Sequence, residues 1–410
     1  MKLYNAFRVF RSYNYNLFFI GQLISRLGMW MQRTAVIWVV YTMTDSVLVV
    51  GLATFAEQFP SFVLSPSGGL VADRYNRYKV LMATQIASAI QAVALTVLYA
   101  LDYHSVGLLL LLSAVLGIAN AYDVPARQAM VNDLVRSKND LPGAIAMNSS
   151  LNNFTRLAGP ALAGIMLAKY GADICFGLNA VSFIAVIVSL NLIKLPPYEE
   201  PVVRQNPWSD FKEGLAYAKH ETEIGCTLLL AALISFLVAT YNTLQPYFAK
   251  VVFGGDASTF GYINAMTGLG AFVSTLFIAS QRKGRLLKRI LFYNLIALGL
   301  GLIAISFVNT LPVFLMLCFV CGFGTMSLMP ICNTIVQTVS LTEMRGRMVG
   351  FFAMATLGTL PLGSLLIGWV SKYVDARYCQ FGQGVICLLI VLAFRAFLLN
   401  GGMPKGQRLP

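Results

Sequence analysis

Charge is what this sequence has least of. Only 11% of its 410 residues are Asp, Glu, Lys or Arg, against 57% hydrophobic. Soluble domains carry about 25% charged residues, so composition alone excludes a soluble enzyme. There is no Gly-Lys-Ser/Thr phosphate loop, hence no ATP-driven step within the chain. Both histidines, His104 and His220, fall in polar loops, which leaves no basis for a histidine metal site or proton relay. The seven cysteines lie within or at the ends of apolar runs, so no disulfide framework is expected. Cys318 and Cys321 have metal-ligand spacing but sit inside an apolar run as small buried residues. Gly299-Leu300-Gly301 follows no strand and is no dinucleotide loop. The sequons at Asn148 and Asn153 lie inside a span, where glycosylation cannot reach them. No metal, cofactor or catalytic centre is expected, and the chain does not read as an enzyme.

What the sequence does have is long apolar runs, of the length a hydrocarbon core about 30 Å thick requires. Twelve spans are expected, near 15–41, 47–70, 79–101, 105–126, 143–168, 174–193, 224–248, 258–280, 289–308, 311–336, 348–370 and 378–399. The net charge of +13 invites a nucleic-acid partner, but its distribution argues against one. With both termini inside, 23 of the 30 Lys and Arg fall in cytoplasmic segments and four (Lys169, Lys250, Lys372, Arg377) outside. That bias orients the chain by the positive-inside rule. Lys2, Arg8 and Arg11 precede a first apolar run without a small-residue cleavage pattern, so the run reads as a span and not as a removed signal.

The longest polar stretch, 194–223, contains Pro196-Pro197 and Glu199-Glu200 and divides six spans from six. Three parts are expected: a bundle over 1–193, a cytoplasmic loop over 194–223 and a bundle over 224–410. An internal repeat supports the division. Pro125–Gly164 can be laid on Pro330–Gly368 with an offset of 205 residues falling to 204, aligning Gly159 with Gly363 and Gly164 with Gly368.

Between the second and third spans the chain reads Gly69-Leu70-Val71-Ala72-Asp73-Arg74-Tyr75-Asn76-Arg77-Tyr78-Lys79. The pattern resembles the corresponding loop of the major facilitator superfamily, with Asn76 where that family prefers Gly. Asn tolerates a left-handed backbone best among the other residues, so the turn is expected to survive. The resemblance covers the whole chain. It implies an all-α membrane protein of two pseudo-symmetric six-helix bundles around a central cavity. Asp123-Val-Pro-Ala-Arg-Gln, Ala146-Met-Asn-Ser, Asn153-Phe-Thr-Arg-Leu-Ala-Gly-Pro and Phe176-Gly-Leu-Asn-Ala-Val-Ser-Phe183 narrow it. They resemble the drug:proton antiporter branch that includes enterobactin exporters and macrolide efflux proteins. The implied protein is a monomeric inner (plasma) membrane exporter working by alternating access. Its partners are a small-molecule substrate, protons and the lipid bilayer, without nucleic acid. Two rivals are a facilitator or importer of a polar metabolite, and a membrane sensor or lipid-handling protein on the same fold.

The resemblance implies a conformational latch of Asp73 with Arg74, Arg77 and an acid at the base of the fourth span, where Asp123 stands. A solvated positive loop that only sets topology is the plainer reading. In the fifth span, Arg156, Gly159, Pro160 and Gly164 resemble an antiporter motif, with Ala163 replacing its first paired glycine. Small residues there let backbones approach, and the proline removes a hydrogen bond; ordinary close packing is the alternative. Glu57 lies mid-span, where an ionisable group costs about 2.5–3.5 kcal/mol and needs a partner. Arg26 lies at comparable depth on the first span, and Arg33 falls on the same face two turns later. Held between burial and an arginine, Glu57 is the first choice of proton carrier and Asp123 the second; a static brace is the alternative. The second half has no acid inside its spans. By resemblance, helices 1, 4, 7 and 10 line the cavity, giving Gln22, Trp30, Asn120, Tyr241, Asn242 and Gln245. That lining suits amphipathic or aromatic substrates such as a drug or siderophore.

Overall fold

The computed structural model describes residues 8–135, 137, 140–194, 207–281 and 284–400. The charged ends of the chain and residues 195–206 of the expected central loop lie outside these. Among the described residues the protein is all helix, without a strand. In order come α1 (Tyr13–Thr44), α2 (Val47–Arg74), α3 (Arg77–Ala100), α4 (Val106–Leu134), α5 (Leu141–Tyr170) and α6 (Ala172–Leu192). Then follow α7 (Pro207–His220), α8 (Thr222–Val252), α9 (Ala257–Ala279), α10 (Gly284–Ile305) and α11 (Leu311–Val339). The chain ends with α12 (Arg345–Val370), α13 (Ala376–Ala393) and α14 (Arg395–Asn400). α7 lies in the stretch expected as loop.

Helix boundaries follow local chemistry. Ser12 caps α1: its hydroxyl accepts from the Tyr15 N–H at 3.4 Å and donates to the Leu134 carbonyl at 2.8 Å. α1 ends at Asp45, left-handed with φ 47°, whose N–H closes on the Tyr41 carbonyl. Asn76 does something other than expected. Its φ is −57°, and its side chain caps α3 by accepting from the Tyr78 and Lys79 N–H groups at 3.0 and 3.3 Å. Asn at the glycine position is therefore an N-cap, worth about 1 kcal/mol, and not a left-handed turn residue.

The helices are inside out relative to a soluble bundle. On α3, Thr84, Gln85, Ser88 and Gln91 are buried, while Ile86, Ile90, Val93 and Val97 are exposed. Buried amides pair across helices: Gln32 donates to Gln91 at 3.1 Å, and Asn179 donates to Gln32 at 2.7 Å, linking α1, α3 and α6. An outward stripe of branched apolar side chains with amides inside fits a lipid solvent, where every polar group needs an internal partner. Ten helices among the described residues are long and apolar enough to span. α1 and α5, with 32 and 30 residues, are long enough but are diluted by polar residues, Gln22, Arg26 and Gln32 on one and Asn148, Asn152 and Arg156 on the other. The long apolar run expected at 224–248 is not one regular helix. α8 tightens to a 3-10 turn at Ala239–Leu244 and widens to a π turn at Phe248–Val252, around Pro246.

Two compact units emerge: Met1–Arg204 with Gly254–Ala265, and Gln205–Phe253 with Met266–Pro410. In the first, Tyr15, Phe18, Leu81, Met130, Leu134, Phe183 and Val186 form the core between α1, α3, α4 and α6. Corresponding glycines perform the same task in each unit. A Cβ on Gly117 of α4 would lie 2.1 Å from the Glu57 carbonyl of α2, and one on Gly322 of α11 2.0 Å from the Thr267 carbonyl of α9. A Cβ on Gly159 of α5 would lie 2.4 Å from the Trp30 Cβ of α1, and one on Gly363 of α12 1.9 Å from the Phe236 carbonyl of α8. Repeated glycines thus set repeated close crossings. Gly117→Val is expected to force α4 from α2, with a cost of about 1–3 kcal/mol for overpacking. Thermal unfolding in detergent reads it, and an unchanged melting temperature would contradict the close crossing.

Candidate functional site

Two polar clusters sit inside the first unit. In one, α2 brings Glu57 to Arg33 of α1, with an oxygen 3.3 Å from the guanidinium Nε. One turn back on α1, the Trp30 ring meets two guanidinium groups. Arg33 stands 5.2 Å and Arg156 of α5 6.0 Å from its centroid. Cations over an indole face gain about 0.5–2 kcal/mol, more as water is excluded. Gly159 permits this: without a side chain, α5 closes on the Trp30 Cβ. Three helices therefore converge on one carboxylate, one indole and two guanidiniums.

The second cluster lies along α1 and α4. Asp123 is buried, and both of its oxygens are engaged. Oδ2 pairs with Arg127 at 3.1 Å, while Oδ1 accepts from Gln85 Nε2 at 2.6 Å and Thr84 Oγ1 at 3.3 Å. Arg127 Nη1 also donates to Gln22 Oε1 at 3.3 Å, and Arg26 Nε reaches the same oxygen at 3.5 Å. Gln22, Arg26, Asp123 and Arg127 are each at least nine-tenths buried. Arg26 is thus not the partner expected for Glu57; that role belongs to Arg33. Both lie on the inward stripe of α1, but the approach of α2 selects the later turn.

The expected latch also changes partners. Arg77 donates to Asp133, at 3.3 Å to each carboxylate oxygen, and not to Asp123. The physical reason is the length of α4. It continues past Pro125 to Leu134, carrying Asp133 to the base and leaving Asp123 inside. Both side chains of the Arg77 pair are partly exposed, which limits it to about 0–1 kcal/mol. Asp73 is exposed in the last turn of α2, and Arg74 follows it, also exposed. A carboxylate at a helix C-terminus is disfavoured by its own helix dipole.

Of the expected antiporter motif, Arg156 and Gly159 join the first cluster, and Pro160 lies within α5. Gly164 meets Gly261, in the segment that clusters with this unit, where an added Cβ would stand 2.5 Å from the Gly261 Cα. Asn120 is half-buried on α4. In the second unit, Gln245 donates to Asn242 Oδ1 at 2.9 Å and Thr267 Oγ1 at 3.3 Å, with Tyr241 buried alongside on α8. Arg127, Gln85, Thr84 and Asp133 were not anticipated. Placing the end of the fourth span at residue 126 put Arg127 in a loop, although the four-residue spacing from Asp123 was visible. No group of His, Cys, Asp and Glu among the described residues could hold a metal.

Lipid-facing apolar stripes, amides turned inward and a paired carboxylate inside a span define a multi-pass membrane transporter. The sequence matches the transmembrane secretion effector family over residues 4–405, and the chain belongs to that family, within the major facilitator superfamily. It is 26% identical to the Staphyloferrin A transporter of Staphylococcus aureus over 382 residues, 92% of this chain and 95% of that one. It is also 26% identical to the Enterobactin exporter of Escherichia coli (O1:K1 / APEC) over 392 residues, 92% of each chain. The narrower resemblance read from the motifs is thereby borne out. The solved structure of a single-site mutant of the nucleoside transporter NupG superposes with a TM-score of 0.75 at 14% identity, covering 93% of this chain and 99% of that one. That likeness establishes the fold.

Proposed function

We propose that this protein is a proton-coupled secondary exporter of a small amphipathic molecule, such as a drug or siderophore, working by alternating access. The observation that carries the reading is the Glu57–Arg33 pair inside an apolar helix. A carboxylate placed there at a cost needs a purpose, and proton exchange supplies one. The match to relatives described as an exporter and a transporter supports the direction and the substrate class.

Glu57 carries the proton and Arg33 is its counter-ion. Protonation of Glu57 releases Arg33, which Trp30 continues to hold. Deprotonation restores the pair. Asp123 is the poorer carrier, because Arg127, Gln85 and Thr84 already occupy both its oxygens. The energetics suffice: one proton falling through about 150 mV releases about 3.5 kcal/mol. Asp73 and Arg74, with the Arg77–Asp133 pair, form the cytoplasmic latch. Arg156, Gly159, Pro160 and Gly164 act as the antiporter-like element. Gln22, Trp30, Asn120, Tyr241, Asn242 and Gln245 contribute to the substrate path.

The chain crosses the inner membrane twelve times as a monomer with both termini cytoplasmic, as bundles over 1–193 and 224–410 joined by the segment 194–223. Whole cells expressing the protein are expected to extrude a preloaded fluorescent dye, and a protonophore to collapse the extrusion. Extrusion that persists after the protonophore would rule out proton coupling.

A further inference from the structure

Each cluster sets two guanidiniums against one carboxylate, but Arg33 and Arg156 of the Glu57 cluster are only partly buried, whereas the second cluster buries its excess charge. It holds Arg26 and Arg127 against the single carboxylate of Asp123, all buried between α1 and α4. Asp123 makes no hydrogen bond or ion pair with Arg26: one oxygen faces Arg127 and the other accepts from Gln85 and Thr84, while Arg26 Nε turns to Gln22. Gln22 offers its carbonyl oxygen to both guanidiniums, which leaves its own amide nitrogen, 1% exposed at the residue level, without a hydrogen-bond partner. Arg127 Nε is likewise buried and unpartnered. A surplus cation and two idle donors thus occupy one place. Buried charge is retained only where something compensates it, and buried donors are retained only where something accepts from them.

We propose that this cluster is the binding site for an anionic group of the exported molecule, and that the substrate is an organic carboxylate. The proposal rests on the exporter reading, whose substrate class it narrows. A planar carboxylate matches the guanidinium fork by two parallel hydrogen bonds and accepts from an amide N–H as well. A halide matches neither. Gln22, Arg26 and Trp30 follow one another at four-residue spacing, so they share one face of α1 with the indole one turn beyond the guanidinium. The substrate therefore carries an aromatic or apolar body beside its acid. Asp123 orients Arg127 and holds the local charge at one positive unit, which the substrate neutralises.

The test compares rhodamine 110 with its methyl ester, rhodamine 123, which differ only at the carboxyl group. Both are titrated against the full-length protein in lipid nanodiscs and followed by fluorescence anisotropy. The free acid is expected to bind about tenfold more tightly than the ester. Arg26→Gln is expected to bring the two affinities together while raising the melting temperature, because it removes an uncompensated charge. Arg26→Lys is expected to keep a preference for the acid. The absence of an acid preference in the wild type, whether both dyes bind alike or neither binds, overturns the proposal. So does an acid preference that survives Arg26→Gln, or a lower melting temperature for that variant, which would make Arg26 a structural brace. Protonophore-sensitive export without an acid preference defeats this inference alone. An acid preference in a protein that no proton gradient drives defeats the exporter reading and leaves the site.

Discussion

Glu57→Gln is expected to leave a folded protein in the membrane that no longer concentrates its substrate. Glutamine keeps the shape and one acceptor toward Arg33, but it cannot gain and lose a proton. One proton falling through about 150 mV and one pH unit carries about 5 kcal/mol, enough for a concentration ratio of about three decades. Without the titrating group that ratio falls to one, while downhill exchange of labelled for unlabelled substrate continues. Uptake into inverted vesicles, with and without an imposed gradient, separates the two activities. Uphill accumulation at the wild-type level by Glu57→Gln would show that the Glu57–Arg33 pair only braces α1 against α2.

Asp123→Asn is expected to have the largest effect on stability. It takes the one carboxylate from a cluster that already holds Arg26 and Arg127, leaving two buried guanidiniums facing each other. Removing one partner of a buried ion pair costs about 3–5 kcal/mol, most of it the penalty of the charge left behind. Thermal unfolding of the purified protein reads this directly. Arg77→Ala, which breaks the partly exposed pair with Asp133, is expected to cost under about 1 kcal/mol. Adding Arg26→Gln to Asp123→Asn should recover much of the loss, since one cation goes with the acid. Equal destabilisation by Asp123→Asn and Arg77→Ala would mean that Asp123 is solvated.

Composition made the helical architecture legible because a bilayer imposes simple rules: apolar length and internal hydrogen bonding. Gly117, Gly159, Gly322 and Gly363 recorded the helix crossings, since a close backbone approach leaves room for no other residue. The site was legible only in part. That Glu57 needed an arginine followed from its depth, but whether Arg26 or Arg33 answered depended on where α2 crosses α1. Arg127 was missed for a different reason. Pro125 and the polar run after it resemble a helix end, yet α4 continues for two more turns with Arg127 buried and Asp133 at its base. A proline removes one hydrogen bond and need not stop a helix that neighbouring helices hold. Asn76 shows the same limit at a turn: its tolerance of a left-handed backbone was relevant in principle, but the free N–H groups of α3 claimed its side chain.

Dye movement in proteoliposomes under an imposed pH gradient tests proton-driven export most directly. Vesicles holding the purified full-length protein, acidic inside, receive dye on the outside, with protein-free vesicles as baseline. Dye should accumulate in the lumen above that baseline, the internal pH should rise as it does so, and a protonophore should abolish both. Dye that merely equilibrates at the same rate with or without the gradient, with no proton movement, would contradict the account.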